Sequence, residues 1–322
     1  MEQDLVNQAG VPYRAIPAAG VHGVSWRKLP GNLVHLSRGL LSSGRILSEF
    51  NPDVLFFTGG YVAGPMALAG RRIPTLVYVP DIEPGLALKL LARLADRIIV
   101  TAPESRAYFK KNVIVSGYPL RPELSQWKRK AARSAMKLTS TKPTLLVYGG
   151  SKGAHSLNTA IFAGLPSLLE SAEVIHITGE LDRREAEDAG RSLSPAMAKR
   201  YHSFPYLHEM GQALASADLV VSRAGASSLG ELPYFGVPAI LVPYPHAWRY
   251  QKVNADYLAD NGAAVVLEDR LLGDALLSTV RGLLEDPDRR ARMQKAMQRL
   301  SQPGAAHAIA SQLVELAGDK SQ

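Results

Sequence analysis

Cysteine is missing from this chain of 322 residues, which excludes disulfides and thiolate metal sites. Aromatic residues are sparse, at 7%, and no basic stretch interleaves with them in the manner of a nucleic-acid-binding segment. No apolar run is long enough to span a bilayer. The opening Met1-Glu2-Gln3-Asp4 is acidic and does not read as a signal peptide. Long repeats and low-complexity blocks are absent too. Acidic residues are outnumbered: 37 Lys and Arg against 29 Asp and Glu give a formal charge of +8. That surplus suits an anionic partner, whether nucleic acid, anionic lipid or a phosphorylated substrate. What the chain has in quantity is apolar residues, 46% of the total, and length enough for two globular domains.

Strand and helix patterns alternate. Val54–Thr58, Thr75–Val79, Arg97–Val100 and Val113–Val115 read as buried strands, with helical stretches at Pro65–Ala69 and Gly85–Leu94 between them. The polar, basic run Glu123–Lys142 reads as a linker containing a helix. The rhythm resumes at Thr144–Tyr148, continues to Ala264–Leu267 and gives way to helix from Leu271 onward. Such alternation predicts parallel sheets. The beginning is atypical, because a doubly wound domain usually opens with a strand and a Gly-rich turn. Here Met1–Ala9 is helix-like and a Gly- and Pro-rich segment follows.

Two turns carry the chemistry. Leu219-Val220-Val221 is a short apolar strand followed by the small residues Ser222-Arg223-Ala224-Gly225-Ala226. Ser227 or Ser228 is placed to cap the next helix, with Glu231 in its first turn. Gly236 and Pro238 end that helix, and Ala239–Val242 is the next strand. His246, Arg249, Gln251 and Asn254 follow at its carboxyl end, where open α/β sheets bind ligands. Backbone N–H groups at Gly225 suit an anion, and a carboxylate such as Glu231 suits the hydroxyls of a ribose. The same pattern also fits an ordinary βαβ unit with a surface Glu. The second turn, Gly149-Gly150-Ser151-Lys152-Gly153-Ala154, follows Val147-Tyr148. It is neither G-x-G-x-x-G nor a P-loop. Its glycines still permit close approach of a phosphate, with Ser151 as a donor and Lys152 as a charge. Together the two turns predict a nucleotide diphosphate site.

Gly149–Ala154 with Leu157-Asn158, Ser222–Ala226 with Glu231, and Pro243–His246 with Arg249, Gln251 and Asn254 resemble the lipid II synthase glycosyltransferases of glycosyltransferase family 28. Gly59-Gly60-Tyr61-Val62-Ala63-Gly64-Pro65 and Gly117-Tyr118-Pro119-Leu120-Arg121 resemble that family's first domain. The resemblance spans nearly the whole chain. It implies an α/β GT-B fold, with two Rossmann-like domains facing a cleft. Residues 1–127, joined by the C-terminal helix 304–322, would form the acceptor and membrane-side domain. Residues 128–303 would hold UDP-N-acetylglucosamine. The implied reaction is inverting transfer of N-acetylglucosamine to a polyprenyl-pyrophosphate-linked muramyl acceptor, at the cytoplasmic face of the plasma membrane. No metal or other cofactor is implied, nor a nucleic-acid partner.

Carried over onto this chain, Gly150, Ser151, Lys152 and Gly153 would contact the diphosphate, and Arg121 would reach it from the other domain. Leu207 would meet the uracil through its backbone. Arg223, Gly225, Ala226, Ser227, Ser228, Leu229, Gly230 and Glu231 would bracket the nucleotide, with Glu231 on the ribose. Tyr250, Gln251 and Asn254 would face the sugar. Gly59, Gly60, Tyr61 and Asp81 would lie on the acceptor side.

Three departures stand out. The family's opening strand and Gly-rich loop, which ends in the His at the reaction centre, have no counterpart before Met1, so the first domain is expected to be incomplete and transfer slow. A His-Glu-Gln-Asn loop is replaced by Tyr78-Val79-Pro80-Asp81. A Gln–Gln pair on the donor sugar is replaced by Tyr250-Gln251. The general base is therefore open, with Asp81 and His22 as candidates. A UDP-sugar-binding module without catalysis and a UDP-sugar epimerase of the same architecture remain alternatives. Between Gly23 and Phe50, leucines and Trp26 interleave with Arg27, Lys28, His35, Arg38 and Arg45. Most of these leucines are expected in the core, with Trp26 and the cations on anionic lipid. Residues 1–127 hold 14 Lys or Arg and 9 Asp or Glu, an excess on the expected acceptor side.

Overall fold

The computed structural model describes residues 3, 6, 7, 9–17, 29–60, 62–150, 153–246 and 249–318, with the side chains of 29–36 outside the description. His22, Trp26, Arg27, Lys28, Tyr61, Ser151 and Lys152 lie outside the described residues. The chain divides into two compact units. Unit 1 comprises Met1–Val79, Pro84–Val115 and His307–Gln322, and unit 2 comprises Pro80–Glu83 and Ser116–Ala306.

Unit 1 is built on four parallel strands in the order β1 (Leu55–Phe57), β2 (Thr75–Val79), β3 (Arg97–Val100) and β4 (Ile114–Val115). Successive side chains of a strand face opposite sides, and β2 is buried on both, which explains its unbroken apolar run. Val77 and Val79 pack with Leu88 and Leu91 of the helix Leu86–Leu94. On the other face, Leu76 and Tyr78 pack with Ile309 and Leu316 of the helix Ala305–Gly318. Arg97 pins that helix through Gln312 at 2.8 Å and Glu315 at 2.8 Å. In the long helix Leu29–Phe50 the side chains of Leu29, Leu33 and Leu36 lie outside the description, and the expectation of core leucines fails at the two that follow. Leu40 and Leu41 are exposed, Leu41 at 70%, whereas Leu47 packs against the core.

Unit 2 holds six parallel strands: β5 (Thr144–Tyr148), β6 (Glu173–Ile177), β7 (Tyr201–Phe204), β8 (Leu219–Ser222), β9 (Ala239–Leu241) and β10 (Ala264–Val266). Their spatial order is β10-β9-β8-β5-β6-β7. The chain thus lays β6 and β7 outward from β5, returns to the centre at β8 and lays β9 and β10 the other way. Leu145, Val147, Val221 and Ile240 from these strands pack with Leu157, Ile161 and Leu165 of the helix His155–Ser171 and with Leu276 and Val280 of the helix Leu272–Leu284.

The boundary between units falls after Val115, not after residue 127. Glu123–Lys142 is no linker either. Leu124, Ala132, Met136 and Leu138 are buried, and a Cβ on Gly211 would stand 2.6 Å from the Trp127 ring, so this stretch packs closely on the helix Met210–Ser216. Arg129 Nη2 donates to both carboxylate oxygens of Asp218, each at 2.8 Å.

Candidate functional site

In unit 2 the strand order reverses between β5 and β8, and in open α/β sheets ligands bind outside the carboxyl ends at that point. Tyr148 of β5 is in register with Ser222 of β8. The two Gly-containing turns therefore begin side by side, although they lie far apart in sequence. Among the described residues, neither Gly150 nor Gly225 has a neighbour within 4 Å of the place a Cβ would take, so no described side chain covers the outer side of either turn. Gly153 is closed on its inner side. It has φ +77°, and a Cβ there would lie 2.3 Å from the Thr178 carbonyl oxygen, so no other residue fits.

Beneath this turn runs a buried polar network. Asn158 donates through Nδ2 to the Thr178 carbonyl and to Asp182 Oδ2, both at 2.7 Å. Its Oδ1 lies 3.0 Å from His176 Nε2, and His176 Nδ1 lies 3.1 Å from the Tyr201 hydroxyl. Burial pushes the His176 imidazole down to about 3, which keeps it neutral. At the surface end, His155 Nδ1 meets Asp182 Oδ1 at 2.8 Å, and that carboxylate pushes the imidazole pKa up. His155, Asp182 and Glu185 bring ligand-type atoms within 4.8 Å of one another, but His155 and both Asp182 oxygens are already engaged with protein partners. Sequence reasoning quoted Asn158 and missed its role, because its partners stand 18 to 24 residues away.

The β8 turn leads into the helix Ser228–Phe235. Neither serine caps it as expected. Ser227 makes no side-chain capping bond, and the Ser228 hydroxyl donates to the Gly225 carbonyl at 2.6 Å, tightening the turn instead. Leu229 points into the core. Glu231 sits in the first turn, half-buried, and burial pushes its carboxyl up to about 7 against the opposing pull of Arg121. Among the described residues no hydrogen bond reaches that carboxylate. Gly230 is needed because a Cβ would stand 2.7 Å from Tyr118 Cβ and 2.9 Å from its ring. The Tyr118 phenol is pushed up by burial, then by Glu231 and Asp81, with Arg121 opposing.

Several assigned residues behave differently from expectation. Arg121 belongs to unit 2, the unit of the Gly turns, because the chain has already crossed at Ser116. Gly59 and Gly60, which follow β1, belong to unit 1, whereas Asp81 also belongs to unit 2. It is held there by Asn254, whose Nδ2 donates to Asp81 Oδ1 at 2.8 Å and to the Ala224 carbonyl at 3.2 Å, while its Oδ1 accepts from the Ile82 N–H at 3.0 Å. Asn254 is fully buried, so its amide serves the protein and not an open sugar pocket. Burial pushes the Asp81 carboxyl up, and the Asn254 bond opposes that rise. Arg223 is likewise buried, paired with Asp269 at 2.6 Å, with Ser156 Oγ at 2.9 Å and with the Val242 carbonyl at 3.2 Å. It braces the turn from behind. Gln251 accepts from the Tyr244 N–H at 2.9 Å, and Arg249 pairs with Glu83. Tyr250 and Gln251 open the helix Tyr250–Asp260. Leu207 lies half-buried in the loop beyond the edge strand β7.

The sequence profile of the glycosyltransferase family 28 C-terminal domain matches residues 144–309, and that of the family's N-terminal domain matches residues 1–100. A protein of Roseiflexus sp. (strain RS-1), named UDP-N-acetylglucosamine–N-acetylmuramyl-(pentapeptide) pyrophosphoryl-undecaprenol N-acetylglucosamine transferase, is 40% identical over 96% of this chain and 80% of its own length. A crystal structure of Acinetobacter baumannii MurG superposes with a TM-score of 0.78 at 26% identity, over 98% of this chain and 88% of that one. UDP-GlcNAc 2-epimerase from Neisseria meningitidis shares the fold, with a TM-score of 0.67 at 12% identity, over 98% and 88% of the two chains. Two parallel-sheet units of this kind constitute a GT-B fold. On this evidence the chain belongs to glycosyltransferase family 28.

Proposed function

We propose that this chain transfers N-acetylglucosamine from UDP-N-acetylglucosamine to a polyprenyl-pyrophosphate-linked N-acetylmuramyl-pentapeptide, with inversion at the sugar. The observation that carries the donor half is the side-by-side placement of the two Gly turns where the unit 2 sheet reverses. The name borne by the 40%-identical relative supports the sugar and the acceptor. The N-termini of the helices that follow the turns favour the negative charge of a diphosphate. Glu231, lacking a protein partner among the described residues, accepts from the ribose hydroxyls. The acceptor oxygen attacks the anomeric carbon as the bond from that carbon to the diphosphate breaks, and the departing UDP gathers charge that N–H groups and Arg121 meet. This scheme calls for no metal. The proton of the attacking hydroxyl needs a base, and Asp81, made more basic by burial, is the first residue to test.

The acceptor's polyprenyl tail places the reaction at a lipid surface. Unit 1 offers one. Leu86, Leu90 and Leu94 are exposed at successive turns of one helix, beside Lys89 and Arg93 of the same helix, with Leu68 also exposed. No described helix is long and apolar enough to cross a membrane. Attachment is therefore read as peripheral and assisted by anionic lipid.

The deciding experiment supplies UDP-[14C]N-acetylglucosamine and a lipid I analogue in anionic vesicles. Labelled lipid with one UDP released per transfer is expected. Conversion of the nucleotide sugar to its 2-epimer, or UDP binding without turnover on any acceptor, would contradict the assignment and favour the epimerase or the binding module.

A further inference from the structure

Beside Glu231 and Arg121, read above as donor-binding residues, stands a third side chain, Tyr118. Tyr118 belongs to the segment that enters unit 2 after β4. Its ring rests on the first turn of the helix Ser228–Phe235, on the bare backbone of Gly230. That seat fixes the ring, because a methyl group at position 230 would overlap it. The phenol thereby stands within electrostatic reach of Glu231, Asp81 and Arg121. No hydrogen bond joins it to any described residue. Partial burial, then the two carboxylates, keep it protonated, so it is a standing hydrogen-bond donor.

The pairing of donors and acceptors limits what it can meet. Ribose hydroxyls bring protons, and Glu231 is the acceptor for them. Phosphate oxygens bring none, and they need donors. Resting on the donor reading above, we propose that Tyr118 is a further donor-binding residue, whose phenol O–H donates with Arg121 to a phosphate oxygen of the nucleotide while its ring walls the ribose end. Tyr118 would then act as a neutral partner to the Arg121 charge, fixing the direction of the phosphate without adding to the cationic field.

Tyr118→Phe keeps the ring on Gly230 and removes only the donor. Titration of the wild type and of Tyr118→Phe with UDP and with uridine separates the possibilities. Loss of one hydrogen bond to a charged oxygen weakens binding by about tenfold or more. The variant is therefore expected to bind UDP at least about tenfold more weakly, to bind uridine as the wild type does, and to show the same rise in the KM for UDP-N-acetylglucosamine with the acceptor KM unchanged. Equal UDP affinity in both proteins, or equal losses for UDP and uridine, would overturn the assignment. A wild type that binds no UDP would instead sink the donor reading itself.

Discussion

The two units solve the same packing problem and leave different surfaces. Both bury parallel strands between helices. In unit 2 the strand order reverses at β5 and β8, and the groups beneath the resulting crevice are polar, buried and bonded to one another. In unit 1 the four strands run in sequential order with no reversal among the described residues. Its surface holds the exposed large apolar side chains of the described protein, all but Leu181, Tyr206 and Tyr244. Small-molecule recognition needs fixed polar groups around an open backbone, whereas a lipid surface needs only apolar area and nearby cations. Under the proposed function, unit 2 serves the first task and unit 1 the second.

That contrast can be broken first in unit 2. Asn158→Ala would strip partners from His176 and Asp182 while both stay buried. Leaving such groups unpaired costs about 2–4 kcal/mol, and the Gly153 turn loses its support. Urea unfolding at pH 7.5 should show a loss of that size, together with weakened UDP binding. A change under about 0.5 kcal/mol would mean the network is dispensable. The second test concerns unit 1. Replacing Leu86, Leu90 and Leu94 together with Gln should lower partition onto anionic vesicles by at least about tenfold. Unfolding stability should hold within about 0.5 kcal/mol per exposed position, and UDP binding should be untouched. Undiminished sedimentation with vesicles would remove this stripe from the lipid contact.

Local pattern revealed the two Gly turns and every described strand except β6 and β7. The β-branched runs before Gly149 and Gly225 are confined to strands, and the residue spacing put Glu231 in a first turn. Pattern could not reveal partners. Arg223 looked like a ligand-binding cation because its counter-ion, Asp269, stands 46 residues downstream. Asn254 looked free to meet a sugar because Asp81 and Ile82 lie more than 170 residues upstream. Arg121 and Asp81 were placed in the first domain because they follow its strands in sequence, yet the chain had already left that unit at both places. Strand adjacency was equally hidden, since nothing local shows that β8 returns to the side of β5.

The most direct test is calorimetric titration of UDP and of 2′,3′-dideoxy-UDP against the wild type and Glu231→Ala. At pH 8 the wild type should bind UDP about tenfold more tightly than the dideoxy analogue, the worth of about two net hydrogen bonds. Glu231→Ala should erase that difference. Lowering the pH to 6 should erode it in the wild type, because a carboxyl pushed up to about 7 takes on its proton below that pH and loses acceptor capacity. A preference for the ribose hydroxyls that survives in Glu231→Ala and does not change with pH would place the nucleotide elsewhere than at the β5–β8 reversal.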